Sequence, residues 1–280
     1  MFERLSVFVV AAFAFAGGVA FERSIGNEGV RVVFLSVGQG DSTLLMSDDW
    51  VAVVDVGVRT EGFDAGERLV APALRRYGVK KIDCLVLTHP DLDHVGGLTA
   101  VASRFRIGRV IVSRAFRNDP EMLEALGKAR ISPSQVEWVE GVSKTVMGEL
   151  QIVIAAPPWY RGAESNDGSL FMRVDVGEAS LAMTGDANSQ VEEKMARVWD
   201  WDVDVLKAGH HGSRFSTSSE WLAVTSPEFV VASCGRRNTY GHPATDMVTR
   251  VRESGAGFYR TDRDGSVEFV VRSGQFVLVE

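Results

Sequence analysis

Short apolar runs alternate with helical patterns along the chain from Val30 onward, and this succession limits the fold more than any other feature. Three strands are predicted first, VRVVFLSV, STLLMS and WVAVVDVG, with a GQGDS turn between the first two and Gly57 after the third. A helix is predicted at about 64–77, where apolar residues recur at helical spacing. The strand KIDCLVLT follows and leads directly into the segment THPDLDHVGG.

The same alternation continues to the C-terminus. Further helices are predicted near residues 95–104, 120–130, 188–199, 218–223 and 244–253. The strands between them are predicted at GRVIVS, TVMGELQIVIAA, SLFMRVDV, ASLAMTGD, VDVLKAG and FVVASCG, and a hairpin closes the chain. Because the strands come in two batches with helices between them, we predict two sheets face to face with helices outside, a four-layer αββα sandwich of the α/β class.

The first 26 residues are predicted to be a separate segment, followed by one domain at 27–280. The stretch LSVFVVAAFAFAGGVAF at 5–21 carries no charge, which is borderline for spanning a bilayer and long for a signal-peptide core. Gly18 and Ala20 would permit cleavage after Ala20, so a membrane anchor and a cleaved signal peptide both remain open. A buried helix is disfavoured, because this segment has no polar stripe. We therefore expect a membrane-anchored or exported protein with its domain outside the cytoplasm.

Composition excludes one class of function. The net charge of −7 and pI near 5.4 argue against a protein that coats nucleic acid by bulk electrostatics, although a metal site could still attract a phosphate locally. The two cysteines, Cys84 and Cys234, each lie in an apolar run. We predict buried free thiols rather than a disulfide.

The histidines are concentrated beyond the ends of predicted strands. The chain has five, and none lies inside an apolar run: His89, His94, His210, His211 and His242. Carboxylates occupy similar positions, with Asp55 in VVDVG and Asp186 in MTGDA. In layered α/β folds such residues converge on one rim, where ligands bind, so we predict a single site there.

The segment THPDLDHVGG has the composition of a metal-binding loop. It places His89, Asp91, Asp93 and His94 within six positions. The first two are predicted to bind one cation and the last two a second, because side chains in an extended segment diverge and a tight turn brings the later pair back. The glycines that follow let the backbone bend close to the site.

Two later motifs are predicted to complete this centre. Asp186 would bridge the two ions, and either His210 or His211 would add a ligand; the sequence does not choose between the two histidines. TGDA taken alone also fits a helix N-cap, since it precedes ANSQVEEKM. Its occurrence with the other motifs favours the ligand interpretation.

The motifs FLSVGQGDS, DVG, THPDLDHVGG, TGDA, KAGHHGS and YGHP, in this order, resemble the metallo-β-lactamase superfamily. That family's signature is His-x-His-x-Asp-His, then a bridging Asp and a later His. The resemblance is closer still to the C-terminal hydrolase domain of ComEC-type DNA-uptake (competence) proteins, and it covers residues 30 to about 272. It implies an αββα fold and metal-dependent hydrolysis of phosphodiesters in nucleic acid. One hydrophobic segment precedes the domain, so the pore function of those transporters is not expected here.

Two departures from the wider superfamily bear on the metal. Asp91 stands where most members have His, as in the ComEC-like branch, and no histidine lies between His94 and His210 to supply the usual middle ligand. Asn166 and Ser169, in SNDGSL, occupy that region. An oxygen-rich set of ligands suits harder ions than zinc. We therefore expect two divalent ions, manganese or zinc, with magnesium as a further option.

The resemblance also suggests roles in hydrolysis. Two cations would acidify a bridging water and hold the attacked phosphoryl oxygen. Asp93 is expected to orient the nucleophile, and His242 to donate to the leaving oxygen or to bind a phosphate. Further phosphate contacts are predicted at Lys207, which equally fits a solvated strand end, and at Ser213 and Asn238. Residues expected to support the site through hydrogen bonds are Asp41, Asp55 and Asn166.

Three classes of function are left open. The first is an extracytoplasmic metal-dependent nuclease or phosphodiesterase, with single-stranded DNA as substrate. The second is a hydrolase of another ester or amide, including β-lactams, because the fold does not fix the substrate. The third is a module that binds nucleic acid or a partner without turnover. The histidine-poor ligand set disfavours the second, and the intact set of ligands disfavours the third.

Overall fold

The computed structural model describes residues 29–160 and 165–279. The apolar segment at 5–21, and with it the predicted anchor or signal peptide, lies outside the described residues. Among the described residues, none of the helices combines the length and the apolar character needed to cross a bilayer.

Seventeen strands and eight α-helices are formed by the described residues. The strands are β1 (Arg31–Phe34), β2 (Thr43–Met46), β3 (Val51–Val54), β4 (Arg59–Thr60), β5 (Phe63–Asp64), β6 (Lys81–Leu87), β7 (Arg106–Ser113), β8 (Val136–Val139), β9 (Val142–Met147), β10 (Leu150–Ala155), β11 (Phe171–Val176), β12 (Ala179–Met183), β13 (Val205–Lys207), β14 (Phe229–Ala232), β15 (Gly257–Arg260), β16 (Val267–Arg272) and β17 (Gln275–Leu278). The helices are α1 (Ala71–Arg76), α2 (Leu92–Val95), α3 (Leu98–Ala102), α4 (Pro120–Lys128), α5 (Ser189–Met195), α6 (Ser219–Thr225), α7 (Thr245–Ser254) and α8 (Thr261–Asp264). A π-helical turn at Gly66–Val70 runs into α1.

The strands form two large sheets. The first has eight strands in the order β17-β16-β1-β2-β3-β6-β7-β8, and the second has seven in the order β15-β14-β13-β12-β11-β10-β9. Strands β4 and β5 form a separate short hairpin. In each sheet one half is antiparallel and the other parallel, with β3-β6-β7-β8 parallel in the first sheet and β12-β13-β14-β15 parallel in the second.

Three hydrophobic clusters separate four layers. The central one lies between the sheets and contains residues such as Phe34 and Val86 from the first sheet and Met172 from the second. A second cluster packs the other face of the first sheet against α1, α3 and α4, and a third packs the second sheet against α5, α6 and α7. The predicted four-layer αββα sandwich is confirmed.

Some elements differ from the sequence prediction. Strands β8 and β15 and the short helix α8 were not predicted, and the expected single helix near 95–104 is two short ones, α2 and α3. The closing hairpin consists of β16 and β17, and it joins the first sheet because β16 pairs with β1. The last strands of the chain therefore lie beside the first one. The prediction of free buried thiols is confirmed for Cys84 and Cys234. Burial raises the pKa of Cys84 to about 11 and that of Cys234 to about 12.

The parallel halves of the sheets determine where the site forms. Asp55 follows β3 and Thr88 and His89 follow β6, while Asp186 follows β12 and the histidine pair follows β13. Carboxyl ends of neighbouring parallel strands share one edge of a sheet, and the two edges face each other across the sandwich. The predicted convergence of these residues on one rim is therefore present.

Candidate metal centre

Four buried side chains bring their donor atoms together at this rim. Asp41, His94, Asp186 and His211 each offer one nitrogen or oxygen, and these atoms all lie within 4.8 Å of one another. His89 borders the group, with its Nε2 4.0 Å from Asp186 Oδ2. The cluster draws residues from both sheets.

The local geometry of THPDLDHVGG follows from its sequence. Asp91 is extended, at φ −61° and ψ 144°, and stands before the first turn of α2. The turn that follows returns Asp93 and His94 to the side of the cluster, and the His94 N–H donates to the Asp91 carbonyl at 2.9 Å. A Cβ on Gly97 would overlap the carbonyl oxygen of Val56, so glycine is required for this close approach.

Each of the three buried imidazoles has a hydrogen-bond acceptor near its Nδ1 atom. His94 Nδ1 lies 2.8 Å from Asp55 Oδ2, and His211 Nδ1 lies 3.0 Å from the Ser233 carbonyl oxygen. His89 Nδ1 lies 3.1 Å from Thr88 Oγ1. Donation from Nδ1 to such an acceptor leaves Nε2 with its lone pair, which is the usual arrangement around a protein metal ion.

Two of the three Nε2 atoms and a facing carboxylate oxygen make no hydrogen bond among the described residues. This holds for His89 Nε2, His94 Nε2 and Asp186 Oδ1, and all three are buried. Buried polar atoms are normally satisfied, because leaving one unpaired costs about 1–3 kcal/mol. A divalent ion coordinated by these atoms would satisfy them, so the residues present fit a bound metal.

The electrostatics agree with this fit. Burial alone would lower the pKa of His94 and His211, but carboxylates raise both well above the ordinary value: Asp186 and Asp55 at His94, and Asp186 and Asp41 at His211. Burial would raise the pKa of Asp186, yet His211 and His94 lower it well below its usual range. The carboxylates thus favour positive charge at this point, and a divalent ion can replace the protons on the imidazoles.

The structure distinguishes the two adjacent histidines. His211 is buried and its Nε2 lies 3.2 Å from Asp186 Oδ2, whereas His210 is about one-third exposed and its Nε2 lies 3.7 Å from the same oxygen. Both have a positive φ, 47° at His210 and 54° at His211. This conformation costs on the order of 1–3 kcal/mol for each non-glycine residue. His211 is therefore better placed as a ligand, with His210 at the mouth of the site.

The two remaining carboxylates of the loop differ in exposure. The Asp93 side chain is 29% exposed, and its Oδ2 lies 3.1 Å from His211 Nε2. The Asp91 side chain is 40% exposed, with its Oδ2 3.7 Å from His89 Nε2 and its Oδ1 accepting from Ser165 Oγ at 2.6 Å. Each lies close to one of the buried histidines, and their assignment as ligands stays a prediction.

Asp41 and Lys207 form a buried ion pair beneath the cluster. Lys207 is 3% exposed and also donates to the Ala208 carbonyl. Its ammonium group is therefore buried and is not in contact with bulk solvent at the mouth of the site, where a phosphate would bind. Asp41 belongs to the group of four donor residues, and its Oδ1 lies 3.3 Å from His211 Nδ1, on the side of the ring away from Asp186. A Cβ on Gly40 would overlap the Asp93 carbonyl, which explains the glycine of GQGDS.

Asp55 occupies the bracing position expected of it. It has a positive φ of 57° and accepts hydrogen bonds from the Thr88 N–H at 2.9 Å, the Thr88 hydroxyl at 2.8 Å and His94 Nδ1. The carboxylate therefore fixes the strand end that carries His89 and the ring plane of His94.

The other predicted substrate contacts are Ser213, Asn238 and His242, and they differ in how many hydrogen bonds they already make within the protein. The Ser213 hydroxyl is buried and accepts from the Phe215 N–H at 3.3 Å. The Asn238 amide donates to the carbonyls of Gly235 and His242, both at 2.7 Å, so it organises its own loop. His242 keeps a buried Nδ1 with no hydrogen-bond partner among the described residues. Burial, and then the nearby His210 and His211, lower the pKa of His242 to about 4, so its ring is neutral near pH 7.

Asn166 and Ser169 lie beside the cluster, in the segment that the sequence pointed to. Asn166 Oδ1 is buried and has no hydrogen-bond partner in the part of the chain that the structure describes. Ser169 Oγ accepts from the Asp186 N–H at 3.1 Å and so holds the backbone of the bridging candidate. The support predicted for Asn166 stays a prediction.

Four functional contacts were not found by sequence reasoning. They are the Thr88 hydroxyl, the Ser233 carbonyl that orients His211, the Ser165 hydroxyl on Asp91, and Glu192, which accepts from the N–H groups of Thr217 and Ser218 at 2.6 and 3.0 Å. Thr88 could have been noticed, because it directly precedes His89. The others depend on segments that are distant in sequence and carry no local signal.

Comparison with known proteins agrees with the fold and the motifs. The family model described as the metallo-β-lactamase superfamily matches residues 35–236. ComE operon protein 3 of Bacillus subtilis strain 168 is 27% identical over 259 residues, which is 88% of this chain and 33% of that protein. Competence protein ComA of Neisseria gonorrhoeae is 30% identical over 267 residues, 94% of this chain and 36% of that protein. The chain thus spans about a third of the length of these relatives.

Solved structures share the architecture at low sequence identity. CmlA, a diiron beta-hydroxylase from Streptomyces venezuelae, superposes with a TM-score of 0.62 at 18% identity, covering 88% of this chain and 54% of CmlA. The metallo-beta-lactamase fold protein YhfI from Bacillus subtilis gives a TM-score of 0.57 at 11% identity, covering 85% of this chain and 99% of YhfI. At these identities the likeness extends to the fold alone.

Proposed function

Because this chain belongs to the metallo-β-lactamase superfamily, whose members are generally metal-dependent hydrolases, we propose that it is a phosphodiesterase that cleaves nucleic acid outside the cytoplasm. The proposal includes tethering or export through the apolar segment at 5–21. The competence proteins among its relatives support a role in handling DNA. Single-stranded DNA is the proposed substrate.

One observation carries the proposal. The buried Nε2 atoms of His89 and His94 make no hydrogen bond within the described residues, and they face Asp186 oxygens at 4.0 and 3.2 Å, with carboxylates of Asp91 and Asp93 alongside. This set contains more carboxylates than a histidine-rich zinc site does. Oxygen ligands suit manganese or magnesium as well as zinc. Such ions are suited to phosphoryl oxygens, which supports a phosphodiester substrate over a β-lactam.

The proposed ligands are divided between two ions. His89 and Asp91 would hold one and Asp93, His94 and His211 the other, with Asp186 between them. When bound, the ions would supply Lewis acidity that polarises the phosphoryl group and acidifies water. The hydrogen bonds of Asp55 and Ser233 keep the two imidazoles of the second ion in one orientation.

Protons would be handled by one of the proposed ligands and by one residue outside the ligand set. Asp93 is proposed to accept the proton of the attacking water, since its Oδ2 lies 3.1 Å from His211 Nε2 and its side chain is partly open to solvent. The P–O bond to the leaving group then breaks, the leaving oxygen takes up a proton from solvent, and Asp93 releases its proton to solvent. His242 is neutral near pH 7, and it is proposed to offer an N–H hydrogen bond to the substrate from the outer side. The negative charge of a phosphate would raise the pKa of His242 again.

The test uses the purified full-length protein, stripped of metal and reloaded with Mn²⁺ or Zn²⁺. It is offered a single-stranded oligonucleotide, bis(4-nitrophenyl) phosphate and a chromogenic cephalosporin. Asp93→Asn and His94→Ala should lower metal content and reduce phosphodiester hydrolysis by at least about 100-fold, because loss of a positioned acid or base alone costs about 10²–10⁴-fold.

Glu121→Ala is the matched control, because Glu121 is an exposed carboxylate on the outer helix α4. It should keep wild-type metal content and rate. The proposal fails if Asp93→Asn retains near-normal turnover, or if the wild-type protein cleaves the cephalosporin and neither phosphodiester.

A further inference from the structure

The loop between β14 and α7 presents an exposed aromatic ring beside the metal centre. Tyr240 is 71% exposed, and its ring stacks on His242 with centroids 5.7 Å apart and planes 23° apart. One face of the tyrosine ring is therefore occupied by the imidazole, and most of the ring remains open to solvent.

Rings continue from Tyr240 to the cluster. The centroid of His242 lies 5.7 Å from that of His210 and 6.5 Å from that of His211. His211 in turn contacts Asp186 and Asp93. An uninterrupted series of aromatic rings thus leads from the proposed metal ligands to the surface.

The loop that carries Tyr240 is held firmly. The Asn238 side chain donates to two carbonyls of this loop and accepts from the His242 N–H at 2.9 Å. The Ala244 N–H donates to the Gly212 carbonyl at 2.8 Å, which ties this loop to the one carrying His211. A ring fixed in this way loses little conformational freedom when a ligand stacks on it.

Exposed arginines lie on the two loops that carry Tyr240 and His211, although the chain as a whole has a net charge of −7. Arg237 is exposed on the same loop, and Arg214 is exposed on the loop that follows His211. Among the described residues, no carboxylate lies within ion-pair distance of either guanidinium. Exposed guanidinium groups in these positions favour an anionic ligand, because each can donate several hydrogen bonds to a phosphate.

We propose that Tyr240 is the base-stacking platform of this site, which binds the base of a nucleotide next to the phosphate that is cleaved, while Arg214 and Arg237 contact neighbouring phosphates. This inference rests on the proposed function and deepens it. An aromatic ring combined with arginines is the common chemistry of single-strand binding, where every base offers a face for stacking. In a duplex both faces of each base are covered by neighbours, so this platform selects single strands.

The experiment compares three ligands of equal length: a thymidine oligonucleotide, the same backbone with abasic residues, and the duplex of the thymidine strand with its complement. Binding is measured by fluorescence anisotropy with phosphorothioate linkages, which slow cleavage, and hydrolysis is measured with ordinary linkages. Tyr240→Ala and Tyr240→Leu should raise Kd and KM for the thymidine strand roughly ten-fold with little change in kcat. In both variants the thymidine and abasic strands should bind with about equal Kd, because only the thymidine strand offers a base to the ring.

Two controls isolate the ring. Tyr240→Phe keeps the ring without the hydroxyl and should restore the preference for the thymidine strand over the abasic strand that Tyr240→Ala loses. Val146→Ala removes an equally exposed apolar side chain, 71% exposed, from the far edge strand β9, and it should change nothing.

The outcomes separate this inference from the proposed function. If the wild-type protein cleaves thymidine and abasic strands equally and Tyr240→Ala is silent, the platform is overturned while the phosphodiesterase stands. If no strand is cleaved but thymidine binding still depends on Tyr240, the platform stands and the catalytic proposal fails. If the wild-type protein neither binds nor cleaves any strand, both are overturned.

Discussion

Individual side chains in the centre are positioned by partners that themselves bind no metal in this proposal. Asp55 holds His94, the Ser233 carbonyl holds His211, and Thr88 links His89 to Asp55. Each contact fixes which ring nitrogen faces the cluster. The orientation of the imidazoles is therefore set by the chain before any ion binds, and this lowers the cost of binding.

The most informative single substitution is Asp91→His. It would restore the histidine found at this position in most of the superfamily, and imidazole nitrogen favours zinc over manganese more than carboxylate oxygen does. The ratio of zinc to manganese affinity should rise, and hydrolysis with Mn²⁺ should fall because the site loses a negative charge. The measurement is calorimetric titration of both metals, together with phosphodiester hydrolysis.

Asp91→Asn is the control for this prediction, because it keeps an oxygen ligand and removes only the charge. It should weaken both metals without a shift toward zinc. An unchanged affinity ratio in Asp91→His would mean that Asp91 only accepts from Ser165 and that the ligands of the loop are His89, Asp93 and His94.

At the scale of elements, helix α5 supports the loop that follows His211. Glu192 on this helix is fully buried and accepts the N–H groups of Thr217 and Ser218, while Gly209 donates to the Thr217 hydroxyl. Arg250 on α7 donates to carbonyls of the same loop. Two outer helices thus fix the loop in which His210 and His211 adopt positive φ.

Glu192 should make stability depend on pH. Burial raises its pKa from 4.5 to about 7, and hydrogen bonds from Ser218 and Thr217 only partly oppose this. The folded state therefore binds the proton more tightly than the unfolded state, so the stabilisation is complete below pH 4.5 and is lost as the pH rises through 7. The loss is at most about 3.5 kcal/mol at about 1.4 kcal/mol per pKa unit.

The measurement is urea unfolding between pH 4.5 and 8 for wild type, Glu192→Gln and Glu193→Gln. Glu192→Gln should show a smaller fall in unfolding free energy across this range, because it cannot titrate. Glu193 is exposed on the same helix, so Glu193→Gln should follow the wild-type curve. Parallel curves for all three proteins would contradict the prediction.

At the scale of the whole molecule, the centre joins the two halves of the sandwich. His89, Asp91, Asp93 and His94 follow β6 of the first sheet, while Asp186 and His211 follow β12 and β13 of the second. An ion held between them would bind the folded protein and not the unfolded chain. Metal would then contribute to global stability as well as to catalysis.

Chelation should therefore lower the melting temperature. An ion present at 100 times its Kd stabilises the folded state by about 2.7 kcal/mol, which corresponds to a Tm change of about 5–10 °C for a domain of this size. Differential scanning calorimetry with EDTA, followed by Mn²⁺ or Zn²⁺, measures this change. Asp186→Asn should show a much smaller shift, and equal shifts in both proteins would place the stabilising ion elsewhere.

The sequence by itself determined the layers of the fold and identified most of the residues that form the site. The spacing of apolar residues is a local property, so each strand and helix can be predicted from its own segment. Polar residues directly after buried strands must lie at a sheet edge. His89, Asp93, His94 and Asp186 were identified in this way, and the structure brings all four together.

Only the tertiary structure decided which partners each residue meets. Burial and the Ser233 carbonyl favour His211 over His210, and Lys207 turns out to be paired with Asp41 beneath the cluster. The pairing of β16 with β1 joins segments more than 230 residues apart, and Tyr240 stacks on His242 through a loop conformation that no periodicity reveals. These contacts depend on how whole sheets and loops pack, and the free energy that selects them is spread over distant segments, so no short stretch of sequence carries the signal.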